Sequence, residues 1–504
     1  MPIHDKVCAH AALKGSETAI NVGGKTLSWQ QLWLRTLSIF GKIIETAGDT
    51  GRDPSIACGP MIAVALGNSL EFPPAWLAAT ARQNVCAVID PQLPIEQLRD
   101  VLSRLQPDLL LVKKCQNHLL TLAEELAIRT LAVEEIHTET SEHDAAAVTR
   151  HVDTPTPFLI NFTSGTTSTP KAFSRSRHSW RISFKNGYQI FDLAQANSTL
   201  FPGPLFHGIG LYCMNEALDA GTTFYCMEKW DAAEALDILA QHPIQRLVLV
   251  PTMLTAFSRL KSTGQPPLIH VTHLLSAGAK LEMNHYRHAR SIFPNARVQE
   301  YYGASELGFI AVSTLDDANV DDQLSTVGQP FPEVSWSIRD DNGNALPQNT
   351  PGTIYLTSEQ VCSGYLWGDD GKAFTTKPYG SSVRDIGYIN EMGCLVVIGR
   401  SGDMIVSGGN NIYLSEVESV LKSLPGMIEA IVMAVEDDYR GRKLIAFFES
   451  DIIEISQLPA LCLAHLAKYK IPAQFCKISH WPLTPSGKIK RSVLEKRFNN
   501  NEIN

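Results

Sequence analysis

Phe162-Thr163-Ser164-Gly165-Thr166-Thr167-Ser168-Thr169-Pro170-Lys171-Ala172-Phe173 is the stretch that decides how this chain is read. The seven positions from Thr163 to Thr169 hold six hydroxyl side chains and one glycine. Phe158-Leu159-Ile160 just ahead is a short apolar run that suits the end of a buried strand. A strand that empties into hydroxyls, a glycine and then Pro170-Lys171 is suited to an anion. Hydroxyls and bare backbone N–H groups donate to phosphate oxygens, and the lysine adds a mobile positive charge. The alternative is a plain polar turn, since the same residue types mark loops. A Walker P-loop is excluded, because Pro170 stands where that motif needs its second glycine.

Upstream, short apolar runs alternate with amphipathic stretches. Ala19-Ile20-Asn21-Val22 reaches Gly23-Gly24, a hairpin signal. Ser28 with Gln31 forms a capping box ahead of Trp33, Leu37, Phe40 and Ile44 at helical spacing. Strands are expected at 61–66, 85–89 and 109–112, with helices around 70–83 and 95–105. Downstream, 247–250 and 274–279 are two more strand-to-turn passages. Repetition of this kind implies mostly parallel sheet covered on both faces. Ligands gather where such strands end, so the turns after 250, at 276–279 and at 163–171 are expected to share one crevice.

From about 326 the texture changes to a compact β section with hairpins, through 334–339, Asp341-Asn342-Gly343, 352–356 and 394–399. A boundary is expected at Arg400-Ser401-Gly402. Beyond it Ser415 and Glu418 read as a second capping box, with Val417, Val420, Leu421 and Leu424 on one face. Residues 403–504 hold twelve Lys/Arg and twelve Asp/Glu, so the whole net charge of −9 lies before them. The expected organisation is a large N-terminal α/β domain (1–399), a hinge (400–402) and a small α+β C-terminal domain (403–504).

Composition narrows the function. The 504 residues are 44% hydrophobic and 19% charged, an ordinary globular balance. A net charge of −9 argues against nucleic acid or an anionic membrane as partner. The ten cysteines are scattered without a Cys-x-x-Cys pair, which argues against a disulfide framework or structural zinc. No apolar run reaches the ~18 residues of a membrane span, and the N-terminus carries no signal-peptide core. The expectation is a soluble cytoplasmic protein.

Four further stretches bear on chemistry. Tyr301-Tyr302-Gly303-Ala304-Ser305-Glu306 offers rings to stack on a base, a hydroxyl for phosphate and a carboxylate for Mg²⁺. Asp385 in Val383-Arg384-Asp385 would by itself be a turn residue. His207 in Pro204-Leu205-Phe206-His207-Gly208 would by itself be a structural histidine. Pro482-Leu483-Thr484-Pro485-Ser486-Gly487-Lys488-Ile489-Lys490 would by itself be a solvated basic loop.

Taken in order, and with Gly399-Arg400-Ser401-Gly402-Asp403 and Ser407-Gly408-Gly409-Asn410-Asn411-Ile412-Tyr413, these stretches resemble the adenylate-forming superfamily over roughly residues 20–495. The likeness is greatest to its acyl- and aryl-CoA ligase branch. It departs from the family pattern at Ser168, Ala172 and Gly402. The resemblance implies that Thr163, Ser164, Gly165, Thr166, Thr167, Lys171 and Ser305 meet the phosphates of ATP. Gly278, Ala279, Tyr301 and Tyr302 would flank adenine, while Asp385 and Arg400 reach the ribose. Glu306 would hold Mg²⁺. His207, Gly208, Tyr212 and Gly303 would line the acid pocket, Gly402 would serve as hinge, and Gly408 and Gly409 would wall the second substrate.

Lys488 is the catalytic residue by the same resemblance, with Lys490 its solvent-facing neighbour. The implied reaction joins a small carboxylic acid to AMP with loss of pyrophosphate, then passes the acyl group to a nucleophile. Coenzyme A is the expected acceptor. An amino acid amine, as in coronafacic-acid-type ligases, and a carrier-protein phosphopantetheine are the alternatives, and a non-catalytic adenylate-binding relative is a minor one. The absence of an Asp in 203–213 disfavours an amino acid as the activated acid.

Overall fold

Short, fully buried strands form the centre of the fold. Met61–Val64, Val85–Val88, Leu109–Val112 and Arg246–Leu249 are strands buried at every position, the signature of strands covered on both faces. The computed structural model describes residues 3–47, 59–136, 142–150, 157–163, 170–261, 266–369, 371, 374–401, 404–407, 410–437, 441–485, 487–500 and 502–503.

Among the described residues these strands divide between two sheets rather than one. A seven-stranded sheet runs Tyr365–Trp367, Lys171–Ser176, Pro157–Thr163, Val85–Val88, Met61–Val64, Leu109–Val112, Thr130–Ala132. Its last five strands are parallel. A nine-stranded sheet runs Gln329–Pro330, Gly308–Leu315, Arg297–Ala304, His273–Ser276, Arg246–Leu249, Ser198–Leu200, Thr223–Cys226, Thr18–Val22, Lys25–Ser28. Its six inner strands, from Arg297–Ala304 to Thr18–Val22, are parallel. Helices between the strands, among them Phe72–Ala79, Ile95–Leu105, Arg177–Ile190 and Gly208–Ala220, cover the faces.

The β section expected after 326 is an antiparallel sheet built on Ser335–Arg339, Gly352–Thr357, Asp385–Ile389 and Leu395–Arg400. The fold is therefore mixed α/β with a large N-terminal domain. A small C-terminal domain follows, with Met427–Asp437, Gly441–Ser450 and Gln474–Lys477 in one sheet beside the helix Leu414–Ser423. It keeps its own apolar clusters, one around Val417, Leu421, Val432 and Phe448, another around Ile431, Phe447 and Leu494.

Local signals had mixed outcomes. Gly23-Gly24 turns the hairpin between Thr18–Val22 and Lys25–Ser28. The Ser28–Gln31 box is present, with Gln31 N–H donating to Ser28 Oγ (3.2 Å) and Ser28 N–H to Gln31 Oε1 (2.9 Å). The second box is not. The helix starts at Leu414, so Ser415 lies inside it and donates instead to Ile398 O, tying the helix to the strand Leu395–Arg400. Glu418 turns inward, accepting from Val432 N–H (2.7 Å) and pairing with Arg491 (2.7 Å), because burial demands a charged partner.

One buried ion pair braces the N-terminal core. Arg246 and Glu216 meet at 2.7 Å with side chains 1% and 3% exposed, and the guanidinium also lies over the Phe191 ring. Removing one partner leaves the other charge buried and uncompensated. Arg246→Leu is therefore expected to lower stability by about 3–5 kcal/mol, read from urea unfolding of the intact chain. A loss below about 1 kcal/mol would mean that Glu216 escapes to water or is neutralised at little cost.

Candidate active site

Three strand ends of the nine-stranded sheet build one wall of a cleft. Arg246–Leu249 runs into Val250-Pro251-Thr252, His273–Ser276 into Ala277-Gly278-Ala279, and Arg297–Ala304 into Ser305-Glu306. Gly278 has φ +82°, a conformation that favours glycine, and with Ala279 it is exposed at the rim. Facing these turns, the helix Gly208–Ala220 starts with His207 at its N-cap. Ser305 Oγ lies 3.7 Å from where a Cβ on Gly208 would stand, so the 305 turn and the helix start are neighbours.

The C-terminal domain closes this cleft. Thr252 Oγ1 donates to Gly487 O at 2.6 Å, and Gly487, with φ +80°, approaches Val250 and Thr252 so closely that a Cβ would come within 3.1 Å. Arg259 pairs with Glu449 at 2.6 Å, and Asn284 Nδ2 donates to Met427 O at 2.7 Å. The result is that Lys488 enters the cleft. Its Cε and Nζ stand 3.3 and 3.6 Å from the Cβ position of Gly278, beside Ile209. The ammonium lines an open crevice: water still reaches the side chain, yet protein surrounds it on most sides. Burial, then the charge of Arg400, lowers its proton affinity. Burial, then Lys488, pushes His207 down to about 4.

Near enough for the Arg400 charge to act on Lys488, a polar network fixes two carboxylates. Asp385 is buried and accepts from the Tyr302 hydroxyl and from Arg400 Nε (2.9 Å). Burial and then Asp385 hold the Tyr302 phenol well above its usual range. Burial pulls Arg400 down, but Asp385, with Glu306 and Tyr302, outweighs this and raises it. Glu306 is buried and accepts from the Tyr365 hydroxyl. Lys171 sits 6.0 Å above the Tyr365 ring, so the residue that closes the 163–171 loop is one ring away from Glu306. Thr163 pairs with Lys171 in register across the hairpin; Ser164, Gly165, Thr166 and Thr167 lie outside the described residues, as do Gly402, Gly408 and Gly409.

The enzyme family model for AMP-binding enzymes matches residues 8–366, and the model for the C-terminal domain of AMP-binding enzymes matches 416–488. The chain belongs to the AMP-binding enzyme family.

An uncharacterized acyl–CoA ligase of Bacillus subtilis, YhfT, is 31% identical over 435 residues, covering 86% of this chain and 87% of that protein. Among solved structures, the O-succinylbenzoate coenzyme A synthetase MenE of Bacillus subtilis, in complex with ATP and magnesium ion, superposes with TM-score 0.80 at 23% identity, covering 97% of this chain and 98% of that one. The amide bond synthetase McbA of Marinactinospora thermotolerans gives 0.83 at 21%, covering 99% and 100%. Likenesses at that identity establish the fold.

Against this family frame, the structure brings together His207, Gly208, Gly278, Ser305, Glu306 and Lys488, and groups Tyr302, Asp385 and Arg400 beside them. Tyr301 does not join the rim. Its ring packs inward on Phe191 (5.5 Å) and Phe309 (5.2 Å) because alternate strand residues face opposite sides. Tyr212 also lies inward, against Phe184. Residues missed from the sequence hold the site in shape. Arg175 is buried and donates to Ser305 O (2.9 Å), Tyr365 orients Glu306, and Thr252 seats the Gly487 turn. Only Thr252 had a signal, its position just after the strand ending at 249.

His207 has a folded value below the ordinary 6.5, so the stability it lends is complete above pH about 6.5 and is lost as pH falls through about 4. Lys488→Ala removes the charge but leaves the burial. The His207 ring is expected to titrate above about 4 in that variant and still below 6.5, by NMR. An unchanged midpoint would mean that the ammonium does not approach the ring in solution.

Proposed function

We propose that the protein activates a carboxylic acid with ATP and transfers the acyl group to the thiol of coenzyme A. The observation that carries the reading is Lys488, set by the C-terminal domain against Gly278 in the cleft that also holds Glu306 and the Asp385–Arg400 pair. Family membership and the acyl–CoA ligase relative support it.

In the first step a carboxylate oxygen attacks the α-phosphorus of ATP and the bond to the β-phosphate breaks, releasing pyrophosphate. Negative charge on the phosphate oxygens is met by preorganised donors. Lys488 is assigned to the α-phosphate and the incoming carboxylate, Ser305 to the α-phosphate, and Thr163, Ser164, Gly165, Thr166, Thr167 and Lys171 to the other phosphates. Asp385 takes the ribose hydroxyls. Its oxygens already accept from Tyr302 and Arg400, but a carboxylate has four lone-pair directions and keeps capacity. Tyr302, Gly278 and Ala279 flank adenine.

Mg²⁺ fits this donor set. It binds through one or two carboxylates plus substrate phosphates rather than a protein cage, and among the described residues no cluster of three or more His, Cys, Asp or Glu stands ready. Glu306, buried and oriented by Tyr365, would hold it. Bound there, the ion neutralises charge on the phosphate oxygens.

In the second step the thiol sulfur attacks the acyl carbon and AMP leaves. Lys488 must withdraw to admit it, so residues 400–402 are assigned as hinge between the 1–399 and 403–504 domains, and Gly408 and Gly409 as the wall beside the entering thiol. An amine or a carrier-protein thiol would follow the same first step, and the acyl–CoA ligase relative favours coenzyme A.

Lys488→Ala is expected to slow pyrophosphate release by about 10²–10³-fold, as loss of one transition-state donor does, with ATP affinity by calorimetry little changed. Adenylation at the wild-type rate would remove the lysine from the mechanism. Glu306→Gln is expected to raise the Mg²⁺ concentration needed for half-maximal rate. Mass spectrometry after incubation with ATP, a panel of acids, coenzyme A and mixed amino acids is expected to find the thioester; an amide instead would replace the acceptor.

A further inference from the structure

A cluster of charged groups spans the two domains at the start of the helix Met283–Ile292, and no step of the reaction uses it. Glu282 is the N-cap of that helix and forms a capping box with His285. Its side chain accepts from the His285 backbone N–H, while its own N–H donates to His285 Nδ1 at 3.1 Å. The turn ahead is fixed by Glu300, which accepts from Leu281 N–H at 2.7 Å and pairs with Lys280. That turn begins at Gly278, the residue against which Lys488 stands.

The C-terminal domain covers this helix start. Asn284 Nδ2 donates to Met427 O at 2.7 Å, which sets the strand Met427–Asp437 against it. Lys422, in the last turn of the helix Leu414–Ser423, pairs with Glu429 at 2.7 Å, and its charge acts on both Glu282 and His285. Behind it Glu418 pairs with Arg491 at 2.7 Å. Glu282 and Lys422 each keep a margin open to water, yet protein surrounds them on most sides. Lys422 and Arg491 are matched by Glu429 and Glu418, and Lys280 by Glu300, so the Glu282 carboxylate is the charge left over. Burial pushes it up to about 7 against the pull of Lys422 and Lys280, and Glu300 and Glu429 add to the rise. Burial, then Lys422 and His288, pushes His285 down to about 3, so its ring stays neutral, as an acceptor Nδ1 requires. Lys422 keeps its proton, because Glu429, Glu418 and Glu282 outweigh its burial.

We propose that Glu282 is a positioning residue for Lys488 that works through its proton: the domain pose that carries Lys488 into the cleft takes up a proton at this carboxylate, and the pose that withdraws Lys488 releases it. This rests on the reading that the C-terminal domain swings between the two steps. With that domain turned away, water replaces Lys422 and Glu429 around the helix start, and the carboxylate returns toward its ordinary 4.5. Lys280, Glu300 and His285 lie on the large domain with Glu282 and stay beside it in either pose. A carboxyl that binds its proton more tightly in one pose lends that pose a preference. The preference is complete below about 4.5 and is lost as pH rises through about 7. Mildly acid solution thus favours the acid-activating pose, and alkaline solution the thiol-transfer pose.

The experiment is ATP–pyrophosphate exchange by the full-length protein with Mg²⁺ and butanoate, benzoate or octanoate, followed across pH. The wild type is compared with Glu282→Gln, which keeps an acceptor for the His285 N–H and removes the charge. Dividing one rate by the other cancels the titrations of His207, Lys488 and the substrates, which both proteins share. The wild-type to Glu282→Gln ratio is expected to fall about tenfold between about pH 6 and about pH 8, centred near 7. Lys422→Met removes the cation that holds the Glu282 carboxyl down, and is expected to move that midpoint upward. Thioester formation from the isolated acyl adenylate and coenzyme A is expected to change in the opposite sense through the same midpoint, which a merely structural role would not produce. A flat ratio in folded Glu282→Gln, equal falls in both steps, or an unmoved midpoint in Lys422→Met would overturn the proton link while leaving adenylation standing. If Glu282→Gln does not fold, the Lys422→Met midpoint decides alone. No exchange with any acid would overturn the adenylation reading, and the link with it.

Discussion

The site depends on one unfavourable arrangement: the Lys488 ammonium held in a cleft beside the Arg400 guanidinium and the His207 ring. Burial and a like charge both act against the lysine's proton, and the lysine in turn acts against a proton on His207. Cations gathered in this way are stabilised by an anion that enters between them. In the proposed reaction a triphosphate ester supplies it, and its charge grows on the oxygens as the α-phosphorus is attacked. The arrangement is therefore worth most in the transition state, which is where binding energy accelerates a reaction.

The carboxylates of the cleft are treated in the opposite way. Asp385 and Glu306 are buried, and each is fixed by a phenol: Tyr302 for one, Tyr365 for the other. A hydrogen-bonded phenol holds a carboxylate in place without adding net charge, so the orientation of Glu306 is fixed while its charge remains for a metal, whereas Asp385 is held by the Arg400 guanidinium as well. These groups come from the large domain and stay put. Lys488 alone is delivered by a different domain, through the Gly487 carbonyl bound to Thr252.

Much of this was legible in the sequence because the chemistry sits in short runs. The strand-to-turn passages at 247–250 and 274–279 could be placed from apolar runs followed by turn residues, and Lys488 from the run that ends in Ser486-Gly487-Lys488. The supporting residues were not legible. Arg175 and Tyr365 act across 130 and 59 positions of chain, on Ser305 and Glu306 respectively, and neither lies in a run of distinctive composition. The Ser415–Glu418 box failed for a related reason. Its local signal was sound, but Glu418 is buried and Arg491, far along the chain, offered it a charged partner. Tyr301 and Tyr302 look alike in sequence, and only the alternation of the strand sends one ring into the core and the other hydroxyl to Asp385.

Three of the contacts that seat the C-terminal domain are weak enough to be exchanged. The Thr252–Gly487 and Asn284–Met427 hydrogen bonds are worth roughly 0.5–1.5 kcal/mol each, net of water. Arg259 is half exposed, so its pair with Glu449 contributes about 0–1 kcal/mol. Together they come to about 1–4 kcal/mol. A ligand that binds one domain pose about 10²–10³-fold more tightly than the other can reverse a preference of that size. On the proposed reading, ATP would neutralise the cations around Lys488 and so favour the pose described here. Once pyrophosphate has left, the adenylate carries less negative charge, and that preference falls toward the scale of these few surface contacts. On the proposed reading, the same electrostatic strain that readies the cleft for a nucleotide also releases the lysine after the first step.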